Sequence, residues 1–284
     1  MRIAGFEKNS AVDYPGKISA VVFTPGCNMD CYYCHNRSLL SPGAEDSLIN
    51  PQAVFEFLKV RKFIIDAVVI TGGEPTSQKD LENFIRRVKK LGLLVKLDTN
   101  GTRPWIIKSL LEQNLIDFIA MDIKAPAEKY QQIAGTKVDL TAIEKSIDLI
   151  LASDIPHEFR TTVAPGLTRQ DIVKIAVRIR GAHSYTLQQY RQPGIGVDLF
   201  GPVYAPNPLP DQLIFELAQL ADTIMGSAKT RGLDLPADHY QSKMGSYISE
   251  SQVENSITFA HQQSVKNRAY SKKPIKLISA QQEM

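Results

Sequence analysis

The sequence predicts an α/β fold in which six βα units build a parallel sheet curled into a partial (β/α)6 barrel, followed by a C-terminal extension. Three observations predict it. Short β-rich runs at 18–23, 67–71, 93–98, 117–123, 157–163 and 184–190 alternate with stretches of helical periodicity, the pattern of a parallel sheet joined by crossover helices. Within the runs, polar and apolar residues alternate, so one strand face is apolar while the other gathers Asp98, Asp122, Lys124, Arg160, Thr162, Gln188 and Tyr190. Six units are too few to close the eight-stranded barrel, and most of the gathered polar residues fall at strand C-terminal ends, where barrel active sites are built.

The helices follow in order. Leu81, Phe84, Ile85, Val88 and Leu91 repeat at helical spacing, opposite Glu82, Arg86, Arg87, Lys89 and Lys90. Ile143, Ile147, Ile150 and Leu151 define a second stripe, and Ile172, Ile175, Ala176 and Ile179 a third. Gly92 and Gly181 sit where helix C-terminal glycines belong. After about residue 200 the alternation fades into a connector with Pro202, Pro206, Pro208 and Pro210, then a helix through Leu213, Leu217, Leu220, Ala221 and Ile224 that ends near Gly226. Residues 1–230 are expected to form the barrel domain. Residues 231–284, polar and basic (Lys266, Arg268, Lys272, Lys273, Lys276), are expected to be a partly flexible extension.

Composition narrows the function classes. The 284 residues are 43% hydrophobic and 22% charged, ordinary for a globular protein with a full core. A net charge of +3 is too mild to argue for nucleic acid or a membrane surface. No apolar run approaches the ~20 residues of a spanning helix, and the N-terminus has no signal-peptide core. The expectation is a cytoplasmic protein with neither membrane nor nucleic acid among its partners.

All three cysteines, Cys27, Cys31 and Cys34, lie in one CxxxCxxC loop directly after the first apolar run. Three thiolates on one loop can hold three irons of a cubane iron–sulfur cluster and leave the fourth iron open. A disulfide framework is disfavoured by the odd count. Zinc held by the three cysteines and His35 is the competing reading, weakened because structural zinc motifs usually draw ligands from two separated knuckles and adjacent Cys34 and His35 would point apart. Thr71-Gly72-Gly73-Glu74-Pro75 follows the next strand; its two glycines expose backbone to a ligand, and Glu74 can accept from an ammonium group. Asp98-Thr99-Asn100-Gly101 and Met121-Asp122-Ile123-Lys124 close the next two strands.

The cysteine spacing followed by GGEP one strand later resembles the radical S-adenosylmethionine (SAM) superfamily. The resemblance implies one [4Fe–4S] cluster on Cys27, Cys31 and Cys34, with SAM on the fourth iron. It implies Tyr33 beside the adenine, and Gly72, Gly73 and Glu74 at the methionine amino group. DTNG followed by DxK resembles the activating enzymes of glycyl radical proteins; this implies a monovalent cation at Asp98 and Thr99 beside the SAM carboxylate, and SAM contacts from Asp122 and Lys124. Lys124 is expected to offset negative charge at the cluster, and Arg160 and Gln188 to complete the cofactor pocket.

Gly5 to Lys17, His35-Asn36 and Phe159 to Val163 resemble the anaerobic ribonucleoside-triphosphate reductase activating proteins over roughly residues 1–230. That implies a reductively generated 5′-deoxyadenosyl radical and a glycyl radical enzyme as partner. The interval 35–70 contains no cysteine, so the chain has capacity for one cluster and needs an external donor such as flavodoxin or ferredoxin. An activase of the pyruvate formate-lyase type, a radical SAM enzyme acting on a small molecule, and a non-enzymatic iron–sulfur or zinc module are the alternatives. Asp13-Tyr14-Pro15-Gly16 reads as the turn of a β-hairpin near the barrel mouth, or as a plain turn.

Overall fold

A computed structural model of the chain describes residues 1–40, 48–192 and 207–234. Eight strands form one sheet in sequential order, β1 (Gly5–Ser10), β2 (Ser19–Thr24), β3 (Ala67–Gly72), β4 (Leu94–Thr99), β5 (Phe118–Asp122), β6 (His157–Val163), β7 (Tyr185–Gln189) and β8 (Ala228–Arg231). β1 pairs antiparallel with β2, and β2 to β8 are parallel throughout. The six predicted strands are β2 to β7, within about one residue at each end. β1 and β8 extend the sheet at its two edges. The expected boundary at residue 230 falls inside β8, and most of the expected extension, 235–284, lies outside the described residues, as do Pro202 and Pro206 of the connector.

Among the described residues seven α-helices flank the strands: α1 (Pro51–Arg61), α2 (Leu81–Lys90), α3 (Pro104–Glu112), α4 (Tyr130–Ala134), α5 (Leu140–Leu151), α6 (Arg169–Arg178) and α7 (Asp211–Met225). Their boundaries have local causes. Asp139 accepts the Thr141 and Ala142 amides ahead of α5, and Thr168 and Asp171 form a reciprocal capping box at α6. Gly226 ends α7 in the left-handed conformation. Leu81, Phe84, Ile85 and Val88 are the buried face of α2, and burying each such side chain contributes about 1.5–3 kcal/mol.

The period-2 alternation sorts the strand side chains. Val95 and Leu97 of β4 are fully buried, and Leu94, Lys96 and Asp98 share the opposite, inner face. Tyr14, Val21, Ala67, Val69, Phe118 and Ala120 form an apolar cluster with Phe23 and Leu94 packed against it. Tyr14 comes from the β1–β2 connection, its ring 5.7 Å from that of Phe118. The hairpin is present, but its turn lies at the base of the barrel and not at the mouth. The turn immediately precedes Ser19, where β2 enters the parallel sheet, so it belongs to the N-terminal ends of the strands.

Candidate active site

Every residue singled out for the site lines one cavity of about 340 Å³: Cys27, Cys31, Cys34, Tyr33, Gly72, Gly73, Glu74, Asp98, Thr99, Asp122, Lys124, Arg160 and Gln188. Thr162 joins them, whereas Tyr190 is buried away from the cavity. Strands β3 to β7 deliver these side chains from their C-terminal ends, and the loop after β2 brings the cysteines over them.

The cysteine loop is held from several sides. The Gly26 amide donates to Leu39 O (2.9 Å), the Glu74 amide to Gly26 O (2.8 Å) and the Asp30 amide to Ala134 O (2.9 Å). Tyr32 donates its hydroxyl to Pro165 O (2.6 Å), and Asn36 its amide to Gly72 O (3.0 Å). The glycines of the GGEP turn serve this packing first. A Cβ on Gly73 would stand 1.9 Å from Gly26 O, and one on Gly72 2.4 Å from Thr24 N. What approaches these glycines closely is the protein's own backbone, a reason beyond the ligand approach expected from sequence.

The thiols are free. Burial pushes Cys27 up to about 11, with nearby Glu74 adding to the effect and the Met29 amide opposing it; burial raises Cys31 as well, against the pull of Lys124. Cys27 Sγ accepts from the Met29 amide (3.4 Å) and faces Asn100 Nδ2 at 3.7 Å. Among the described residues no three His, Cys, Asp or Glu side chains converge on a point where one ion could be held.

Glu74 is fully buried, and burial raises its carboxyl above the ordinary value against four hydrogen bonds. Oε1 accepts from the Thr76 amide (3.0 Å), the Thr76 hydroxyl and the Thr99 hydroxyl (2.8 Å); Oε2 accepts from the Asn100 amide (2.7 Å). The carboxylate therefore ties the end of β3 to the end of β4 and keeps acceptor capacity chiefly at Oε2.

A charged ladder runs across the inner face. Arg160 donates through Nη1 to Asp98 Oδ2 (2.9 Å) and through Nε to Asp122 Oδ1 (2.8 Å); Lys124 Nζ lies 3.2 Å from Asp122 Oδ2. Lys96, almost wholly buried, places Nζ 3.3 Å from Asp98 Oδ1 and donates to Asp13 O. Burial would raise both aspartates, but Arg160, with Lys96 at Asp98 and Lys124 at Asp122, holds them below the usual carboxylate range. Burial would lower Lys124, yet Asp122, Tyr33 and Cys31 keep it charged. Its Nζ stands 5.9 Å from the Tyr33 ring centroid, within cation–π range.

Sequence reasoning passed over Lys96 and Glu158, although each shares its strand parity with a selected residue. Glu158 Oε1 accepts from Thr186 and lies 3.2 Å from Lys229 Nζ. Arg231, on the unforeseen β8, also lines the cavity.

The model of the Radical SAM superfamily matches residues 21–179. A Methanocaldococcus jannaschii protein bearing the name of a glycyl-radical enzyme activating enzyme is 33% identical over 239 residues, 82% of this chain and 96% of that one. The pyruvate formate-lyase 1-activating enzyme of Escherichia coli is 33% identical over 178 residues, 60% of this chain and 70% of that one. Among solved structures, Streptococcus suis SuiB bound to S-adenosylmethionine superposes with a TM-score of 0.59 at 13% identity, covering 75% of this chain and 52% of that one, a likeness of fold. With more than half its length matched by the family model, and with that fold, the chain belongs to the radical SAM superfamily.

Proposed function

We propose that this radical SAM enzyme activates a glycyl radical enzyme, with anaerobic ribonucleoside-triphosphate reductase the partner that the sequence favours. The observation that carries the reading is the convergence of the cysteine loop, the GGEP turn and the ends of β4 and β5 on one cavity. Similarity to the Methanocaldococcus jannaschii protein over most of both chains supports the activase class.

The family implies a [4Fe–4S] cluster and SAM, and the residues present fit both: three free thiols on a braced loop, beside a pocket with paired charges and spare acceptors. When bound, they supply one-electron reductive cleavage of SAM to methionine and a 5′-deoxyadenosyl radical, which takes a hydrogen atom from a glycine of the partner. Cys27, Cys31 and Cys34 would hold the cluster. Burial favours the protonated thiols of Cys27 and Cys31, so binding a cluster there would release protons. Lys124 offsets the negative charge gathered at the cysteine loop, and its ion pair with Asp122 fixes where that charge sits. Glu74 Oε2 offers an acceptor to the methionine ammonium, and Tyr33 offers an aromatic wall to the adenine. Arg160 and Gln188 line the wall beyond. A single three-cysteine loop needs an external one-electron donor, for which a flavodoxin or ferredoxin serves.

The test is anaerobic reconstitution followed by incubation with reductant, SAM and purified anaerobic ribonucleotide reductase. A glycyl radical signal in electron paramagnetic resonance is the expected result. SAM cleavage with no radical on that reductase, but a radical on a pyruvate formate-lyase-type enzyme, would reassign the partner; cleavage with no protein radical on either would overturn the activase reading.

A further inference from the structure

We propose that Lys96 is a built-in counter-cation for Asp98, occupying the place where a bound monovalent ion would otherwise serve the SAM carboxylate. The inference rests on SAM binding in this cavity and not on the identity of any partner. A cation at Asp98 and Thr99 would need oxygen lone pairs free to coordinate it. Asp98 Oδ2 already faces Arg160 Nη1 at 2.9 Å, and Oδ1 faces Lys96 Nζ at 3.3 Å. The Thr99 hydroxyl donates to Glu74 Oε1 (2.8 Å) and accepts the Gly101 amide (3.2 Å). Both carboxylate oxygens of Asp98 thus face a protein cation, and a further ion there would stand against two positive charges.

Lys96 has the placement this role requires. It lies on the inner face of β4 two residues before Asp98, and its side chain is 2% exposed. Its ammonium also donates to Asp13 O, so an acidic and a neutral oxygen flank one positive charge. Asp98 Oδ1 is buried and makes no hydrogen bond, so this ion pair is what compensates it. An ammonium and a potassium ion are both monovalent cations satisfied by oxygen; the tethered one is present at any salt composition. Lys96 is thus a positioning residue: it keeps Asp98 and, through the shared Arg160, Asp122 in place beside SAM.

Removing the ammonium leaves Asp98 Oδ1 and Asp13 O facing a space that a free cation can enter. The experiment measures SAM affinity of the reconstituted protein in potassium, ammonium or tetramethylammonium chloride at equal ionic strength, for wild type and Lys96→Gln. Wild type should change less than about twofold between salts, whereas Lys96→Gln should lose roughly tenfold or more in tetramethylammonium, as for a charge-assisted contact, and recover in potassium or ammonium. Lys96→Gln unrescued by either small cation, or wild type needing potassium as strongly as the variant, would overturn the proposal. If Lys96→Gln fails to fold, the wild-type comparison decides alone: salt independence upholds the proposal and potassium dependence ends it. Because the readout is SAM binding, a wrong partner assignment would leave it untouched.

Discussion

Arg160 on β6 reaches past β5 to Asp98 on β4, and the same guanidinium holds Asp122 on the strand between them. One planar cation with donors on separate edges meets two carboxylates at once. Replacing it with methionine would leave two aspartates buried with only Lys96 and Lys124 to compensate them. Arg160→Met should destabilise the fold by about 3–5 kcal/mol, as when one partner of a buried pair is removed. Arg160→Lys should recover little, because an ammonium lacks the fork. Denaturant midpoints of the three proteins check this; equal midpoints for wild type and Arg160→Met would remove the ladder from the stability of the barrel.

Gly73→Ala should separate cluster loading from folding. Its Cβ would meet Gly26 O at 1.9 Å, one residue before Cys27, so the cysteine loop must move. Iron and sulfide per chain should fall well below the about four of each that a full cluster carries. Gly92→Ala, at a helix end with nothing near its Cβ but φ of +80°, should cost about 1 kcal/mol of stability and load normally.

His157 and His183 clasp each other. The His157 amide donates to His183 Nδ1 and the His183 amide to His157 Nε2, both at 3.3 Å, with the rings 4.1 Å apart. Burial lowers His157 below its ordinary value and His183 adds to this, against the Ile155 carbonyl. The folded chain therefore takes up a proton less readily than the unfolded one. The contribution is complete above the unfolded value of about 6.5 and is lost as pH falls below it. Unfolding midpoints from pH 7.5 to 5 should decline, and His157→Gln should flatten that decline; parallel curves would show that His157 does not titrate in this window.

Ending the chain after Asp234 should leave a folded protein that still cleaves SAM, since the eight described strands and seven described helices all precede that point. Formation of 5′-deoxyadenosine under reduction is the readout. Failure to fold or to hold iron would place part of the barrel's support beyond residue 234.

The parallel core was legible because buried parallel strands are apolar runs with polar residues on one parity, as in Phe118–Asp122. β1 and β8 were not: Gly5–Ser10 and Ala228–Arg231 are half exposed and mostly polar, and they join the sheet through tertiary pairing that no local propensity announces. Helices α1, α3 and α4 were likewise passed over. The cavity's cysteines were readable from their spacing, and its motif residues from strand parity and the resemblance of their motifs to a known family. The pairings were not, because parity assigns a residue to a face without saying which neighbour it meets. Lys96 shares Asp98's parity, but only the register of Lys96 with Phe118, and the turn at Asp13 beneath it, shows where its ammonium ends.

The bracing of the cysteine loop bears on how the protein matures. Residues 26–36 are bonded to six separate stretches of chain: Leu39, Gly72 to Glu74, Asn100 to Thr102, Ala134, Pro165 and Arg191. In a zinc finger the metal organises a disordered peptide and its binding energy is spent on folding. Here the loop is bonded along its length to the surrounding barrel, so a cluster on these cysteines would draw on contacts that the fold itself supplies. The conformational entropy of ordering the loop falls due when the polypeptide folds, and little of it is left to be charged against cofactor assembly.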